Sequence, residues 1–286
     1  MLCFGVPLWN LAWFVADSDL YSYILLIPFI SLYLAWPKKQ NLPPATPSAR
    51  GAAAGFLTAG TVVLIAYWLV LRSRFKLMED DYLALMMISF LLFFFGICCL
   101  FWWRKILRAN AFPLGFLVFM VPMPAVAIGW IDSFLQYGSA AVAHGFFWLS
   151  GTPFYQDGLV FQLPDISIQI APECSGIHSS LVLFITSLLA SYIFLQTPWK
   201  RATLTLFVIP LALLRNGFRV FTIGELCIHI GPQMINSPIH RKGGPIFFVL
   251  SLIPLFILLV VLQRSERAWG KSKPKTGENP NPTSLK

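Results

Sequence analysis

The sequence predicts an all-α polytopic membrane protein of about eight transmembrane helices, with a small extracytoplasmic β-hairpin ahead of the helix that carries the chemistry. Composition, span length and the placement of charge predict it. Of 286 residues, 57% are hydrophobic and only 12% charged, with a mean hydropathy of +0.71. Polar side chains are therefore too few to coat a water-soluble globule. Phe (26) and Trp (10) help bring the aromatic share to 15%, which suits lipid-facing helices with interfacial belts. The same figures exclude a disordered, collagen-like or disulfide-scaffold chain.

Crossing the hydrocarbon takes roughly 20 apolar residues in a helix. Residues 1–15 read as a short retained helix, because the segment lacks the basic start and small-residue cleavage site of a signal peptide. The stretches 21–36, 51–71, 82–103, 112–131, 176–195, 202–223 and 245–263 follow as spans. After 132 the hydrophobicity drops through DSFLQYGSAAVAHGFFWLSG, which reads as an interfacial amphipathic helix. Asp157-Gly158 then supplies a hairpin turn ahead of Leu159–Leu163, and Ile166, Ile168 and Ile170 alternate with Ser167 and Gln169 as a half-buried strand does. Residues 1–263 thus make one transmembrane domain. Residues 264–286, rich in Lys, Pro, Ser and Asn, make a disordered basic cytoplasmic tail.

Charge tests this count, since short cytoplasmic loops collect Lys and Arg. Lys38, Lys39 and Arg50, then Arg104, Lys105 and Arg108, then Lys200 and Arg201, and finally the tail from Arg264 to Lys286 all fall on one side. The 132–175 segment holds Asp132, Asp157, Asp165 and Glu173 without a single Lys or Arg, and falls on the other. Eight spans put both termini in the cytoplasm of an inner membrane. The net charge of +9 is accounted for by these loops and points to membrane lipid as the charged partner, not to nucleic acid.

Ionisable groups at span ends are costly to hold there, so each asks for a reason. Cys174, with His178 four residues later, opens the 176–195 span at its outer end. Arg215 and Arg219 lie four apart near the outer end of 202–223, and His240 precedes the last span on the same side. A thiol, a guanidinium and an imidazole are so brought to one membrane face. A helix N-terminus or a neighbouring imidazole turns a thiol into a thiolate nucleophile. His240 has the ordinary titration range of a general acid/base. Arg219 stays charged and suits a developing oxyanion. The three imply acyl transfer through a thioester. Arg215 rivals Arg219, and His178, four residues after Cys174 and so on its helical face, rivals His240 as base. Cys227 falls on the same side, and both it and Cys174 are read as thiols.

PECSGI at 172–177, Asn216 followed by Arg219 within LLRNGFRVF, His240 ahead of Gly243 and Gly244, and the early DSDLYSYILLIPFISLYLAW together resemble the exosortase/archaeosortase family of membrane-embedded cysteine transpeptidases over about residues 16–262. The resemblance implies cleavage of a C-terminal sorting signal, commonly a Pro-Glu-Pro motif with a hydrophobic helix and a basic end, on exported proteins that are then joined to an envelope acceptor. It implies Cys174 as nucleophile, Arg219 as charge stabiliser and His240 as acid/base.

No Cys or His pair has zinc-site spacing, and no phosphate loop or dinucleotide fingerprint occurs, so no cofactor is expected. A rival reading makes the arginines a site for an anionic lipid-linked envelope component in a transporter or binding protein. The lack of an inverted repeat, and the clustering of ionisable groups at one face, count against it.

Overall fold

The computed structural model describes residues 4–18, 20–36, 49–72, 78–102, 104–164, 166–172, 175–231, 233–234 and 244–272. The described chain is mostly helical and divides into two units, residues 1–131 and 132–286. Among its helices five are long and apolar enough to cross a membrane, or six when one bent pair counts as a single span.

In the first unit α1 (Gly5–Asp17) is followed by a 3-10 turn, Ser22–Leu26, that runs into α2 (Ile27–Ala35). Helices α3 (Arg50–Arg72) and α4 (Glu79–Phe101), 23 residues each, pack as a hairpin in which Ser89 Oγ donates to the Gly60 carbonyl at 3.1 Å. In lipid, apolar surface gives helices no reason to associate, so small residues and buried hydrogen bonds at the contact do so. Short helices α5 (Arg104–Ala109) and α6 (Ala111–Phe116) follow, the latter continued by a 3-10 turn, Leu117–Met120.

The expected single span at 112–131 is not one helix. The segment Ala111–Met120 and α7 (Ala125–Ser150) meet at 92°. Pro122 and Pro124 lie in the break, where a missing N–H and a restricted preceding residue prevent a helix from running through. Asp81 Oδ1 then accepts from Ala125 N at 3.0 Å and caps the new helix. The amphipathic helix expected after 132 is the continuation of this same α7. It is two-faced, with Trp130, Phe134, Tyr137 and Trp148 exposed and Gln136, Ser139, Ala143 and Phe147 buried.

In the second unit the sheet has three strands, β1 (Tyr155–Asp157), β2 (Val160–Leu163) and β3 (Ile166–Gln169), in the antiparallel order β1-β2-β3. The pairing Asp157↔Val160 leaves Gly158 and Leu159 as a two-residue loop, and Gly158 takes φ 57°, the left-handed value its missing Cβ permits. Phe161, Leu163, Ile168 and Ile170 are buried with Ala143, Phe147 and Val220, while Ser167 and Gln169 face out as the alternation predicts. Strand β1 was not foreseen, since Tyr155, Gln156 and Asp157 show no apolar alternation.

Helices α8 (Ile177–Phe194), α9 (Pro198–Leu206) and α10 (Val208–His229) follow, then α11 (Gly244–Ser272). The stretch expected at 202–223 belongs to a helical run of 32 residues, Pro198–His229. A second core, holding Leu183, Leu204, Val208, Leu211 and Leu259, joins α8, α9, α10 and α11. Along α10, Arg215 and Asn216 therefore sit between one apolar cluster at Val208 and Leu211 and another at Val220.

The helix α11 continues past 263, so the first nine residues of the expected disordered tail, 264–272, are helical; residues 273–286 lie outside the described ones. The reason is a set of polar contacts with the α8–α9 turn. Glu266 accepts from the backbone N–H groups of Gln196 and Thr197, the latter at 2.6 Å, and so caps α9 from another helix. Lys200, 1% exposed, donates to the Leu262 carbonyl and to Ser265 Oγ. Glu266→Ala strips the α9 terminus of its acceptor at a cost of about 1 kcal/mol. The expected result is a thermal midpoint a few degrees lower in detergent, read by fluorescence, with Glu266→Gln intermediate because one oxygen remains.

Candidate active site

Helix α8 starts at Ile177 because Gly176 before it has φ 73°. That left-handed residue stops the helix from extending back, so His178 lies in the first turn of α8 and the helix begins after the Cys-Ser-Gly stretch. Ser175 is fully buried and its N–H donates to the Pro172 carbonyl at 3.1 Å. Ser175, the residue after Cys174, is thereby held in place. Cys174 itself, Glu173 and His240 lie outside the described residues.

The mouth of α8 is gathered around one carbonyl. Gly176 O accepts from Ser180 N at 2.9 Å, from Ser180 Oγ at 2.8 Å and from Ser179 Oγ at 3.0 Å. Arg215, 8% exposed, reaches it from α10: its Nη2 donates to Gly176 O at 3.2 Å and to Ser180 Oγ at 2.9 Å. Its Nη1 is buried and, among the described residues, meets no hydrogen-bond acceptor. A charged donor left so is costly in a dry site, and it is a pointer to an incoming acceptor. Gly176 must be glycine here on two counts, its φ and its neighbours, since a Cβ would stand 2.9 Å from Arg215 Nη2 and 3.2 Å from Asn216 Oδ1.

Asn216, 1% exposed, donates from Nδ2 to Ser139 Oγ on α7 at 3.1 Å. The two helices approach so closely there that a Cβ on Gly217 would stand 2.5 Å from Val142 and 3.0 Å from the Ser139 carbonyl. Arg219 lies one turn beyond Arg215 and is half-buried, as is His178 in the first turn of α8. Beside this cluster runs a groove of about 320 Å³ between α10 and α11, with walls that include Leu214, Arg215, Phe218, Phe247 and Leu250.

The structure thus brings Arg215 and Asn216 together with Gly176 and Ser180 at the start of α8. Sequence reasoning missed Ser139 and Ser180, the partners of Asn216 and Arg215. Ser180 stands one turn after Gly176, and Ser139 lies in GSAA, a small-residue stretch of the sort that marks helix contacts in lipid. Cys98, Cys99 and Cys227 are buried thiols. Among the described residues no three His, Cys, Asp or Glu side chains are grouped so as to hold a metal ion.

No curated protein and no solved structure matches the chain. The model of the transmembrane exosortase family does, over residues 9–257, nearly the whole length. Taken with the apolar helices, this makes the chain an integral membrane protein that belongs to the transmembrane exosortase family.

Proposed function

We propose that this protein is a cysteine transpeptidase of the inner membrane that cuts C-terminal sorting signals from exported proteins by way of a thioester and passes the acyl group to an envelope acceptor. The observation that carries the reading is the clamp of Arg215 on Gly176 and Ser180, which fixes the segment just after Cys174 against a second helix. Cys174 attacks the scissile carbonyl, Arg219 holds the oxyanion, and His240 takes the thiol proton and returns it to the leaving amine. Carbon and sulfur form the new bond as carbon and nitrogen part; an acceptor amine or water then releases the enzyme. The groove between α10 and α11 supplies apolar walls for the signal's hydrophobic helix, at whose edge Arg215 presents its unsatisfied Nη1.

The topology in this proposal has eight crossing elements: α1, Ser22–Ala35, α3, α4, the bent pair 111–150, α8, the run 198–229 and α11. Both termini then lie in the cytoplasm and the sheet and Cys174 lie outside. An impermeant maleimide added to intact cells should label Cys174 and halt processing in step with labelling, while the buried Cys98, Cys99 and Cys227 stay unreacted. Labelling that needs permeabilised cells overturns the sidedness, and full labelling with undiminished processing overturns the nucleophile.

A further inference from the structure

A second cavity, of about 340 Å³, lies within the first unit among α2, α4 and the segment 110–120. Its size falls in the range of sites that hold small molecules. The walls are Phe90, Phe94, Leu117 and other apolar groups, with two conspicuous polar exceptions, Ser31 and Asn110. Ser31 spends its proton on the Pro113 carbonyl at 2.7 Å. Asn110, 7% exposed, donates from Nδ2 to the Ile106 carbonyl at 3.1 Å, which fixes the orientation of its amide. Its Oδ1 is then left buried with no donor among the described residues. What both side chains still offer is lone pairs, so the group this pocket calls for is a donor, and its apolar walls suit one carried on an apolar body.

The rim adds charge. Trp102 and Asn110, which flank α5 in sequence, both line the cavity. Helix α5, bracketed in sequence by these two lining residues, carries Arg104, Lys105 and Arg108, all exposed. We propose that this cavity is a binding site for an anionic phospholipid with a hydroxylated headgroup: an acyl chain against the aromatic wall, the phosphate at the three cations, and a headgroup hydroxyl donating to Asn110 Oδ1. The site is independent of the peptidase chemistry and needs no catalysis to be seen.

The test uses the full-length protein in nanodiscs of phosphatidylglycerol, phosphatidylmethanol or phosphatidylcholine, with retained lipid counted by native mass spectrometry after extraction. The first two share charge and differ in the hydroxyls. Retention should favour phosphatidylglycerol over phosphatidylmethanol about fivefold, the value of one hydrogen bond. It should favour phosphatidylmethanol over phosphatidylcholine roughly tenfold through the basic rim. Asn110→Leu removes the first preference and keeps the second, and neutralising Arg104, Lys105 and Arg108 to Gln does the reverse. Leu32→Trp, at a lining residue that is 63% exposed, fills the entrance without cutting a buried contact and should abolish retention of all three. Equal retention of the three lipids by the wild type, or a phosphatidylglycerol preference that survives Asn110→Leu or Leu32→Trp, overturns the proposal.

Discussion

Cys174→Ala should leave the sorting substrate at full length, with processing lower by about 10⁴-fold or more, the scale on which loss of a covalent nucleophile is felt. The methyl group offers no electron pair to the carbonyl, and the orienting groups that remain can give only a residual acceleration. Cys174→Ser should lie close to alanine, because a hydroxyl titrates far above a thiol and a site tuned for a thiolate gives it little help. The variant should insert and accumulate normally, since the substitution lies before α8 begins at Ile177 and leaves every apolar span intact. Immunoblots of the substrate, together with intact mass of the product, measure the effect. Normal processing by the alanine variant would remove the thioester from the mechanism and leave the arginines as a ligand site instead.

The parts of this molecule that could be read from sequence are those written in repeated local pattern. Runs of apolar residues announce α3, α4, α8 and α11, and the alternation from Ile166 to Ile170 announces β3, because each residue of the run votes for the same answer. What could not be read depends on a partner far along the chain. Pro122 and Pro124 advertise a break, but hydropathy carries across it, and so one span was expected where two helices meet at 92°. Lys200 is legible as a cytoplasmic charge; that it is also buried against Leu262 and Ser265 follows only from the docking of α11. The same holds at the site. Arg215 and Asn216 stand out as polar residues in an apolar helix, yet nothing local says that one turns to α8 and the other to α7. Gly176 was legible as part of a motif, and its reason, a left-handed turn under a guanidinium, needed the fold.

Arg215→Met is the substitution that separates positioning from chemistry, and it should lower processing roughly 100-fold, the cost of misplacing a reacting group by about 1 Å. Methionine keeps the apolar bulk in the groove but loses both donors from Nη2, so Gly176 O and Ser180 Oγ forfeit their link to α10 and the turn behind Cys174 gains freedom. A positioning role predicts a fall in kcat that Arg215→Lys partly restores, since an ammonium can still reach one of the two acceptors. Gly176→Ala should fall with it, because a methyl group at φ 73° displaces the guanidinium from 2.9 Å as well as straining the backbone. Arg219, one turn further along, answers a different question. If it holds the oxyanion, Arg219→Lys restores little, because the placement of a fixed donor fork is what the transition state uses. Kinetics on a detergent-solubilised enzyme with a synthetic signal peptide would read both pairs. Should Arg215→Met leave kcat intact while Arg219→Met abolishes it, the clamp would be structural alone; should lysine rescue Arg219 and not Arg215, the two arginines would exchange roles.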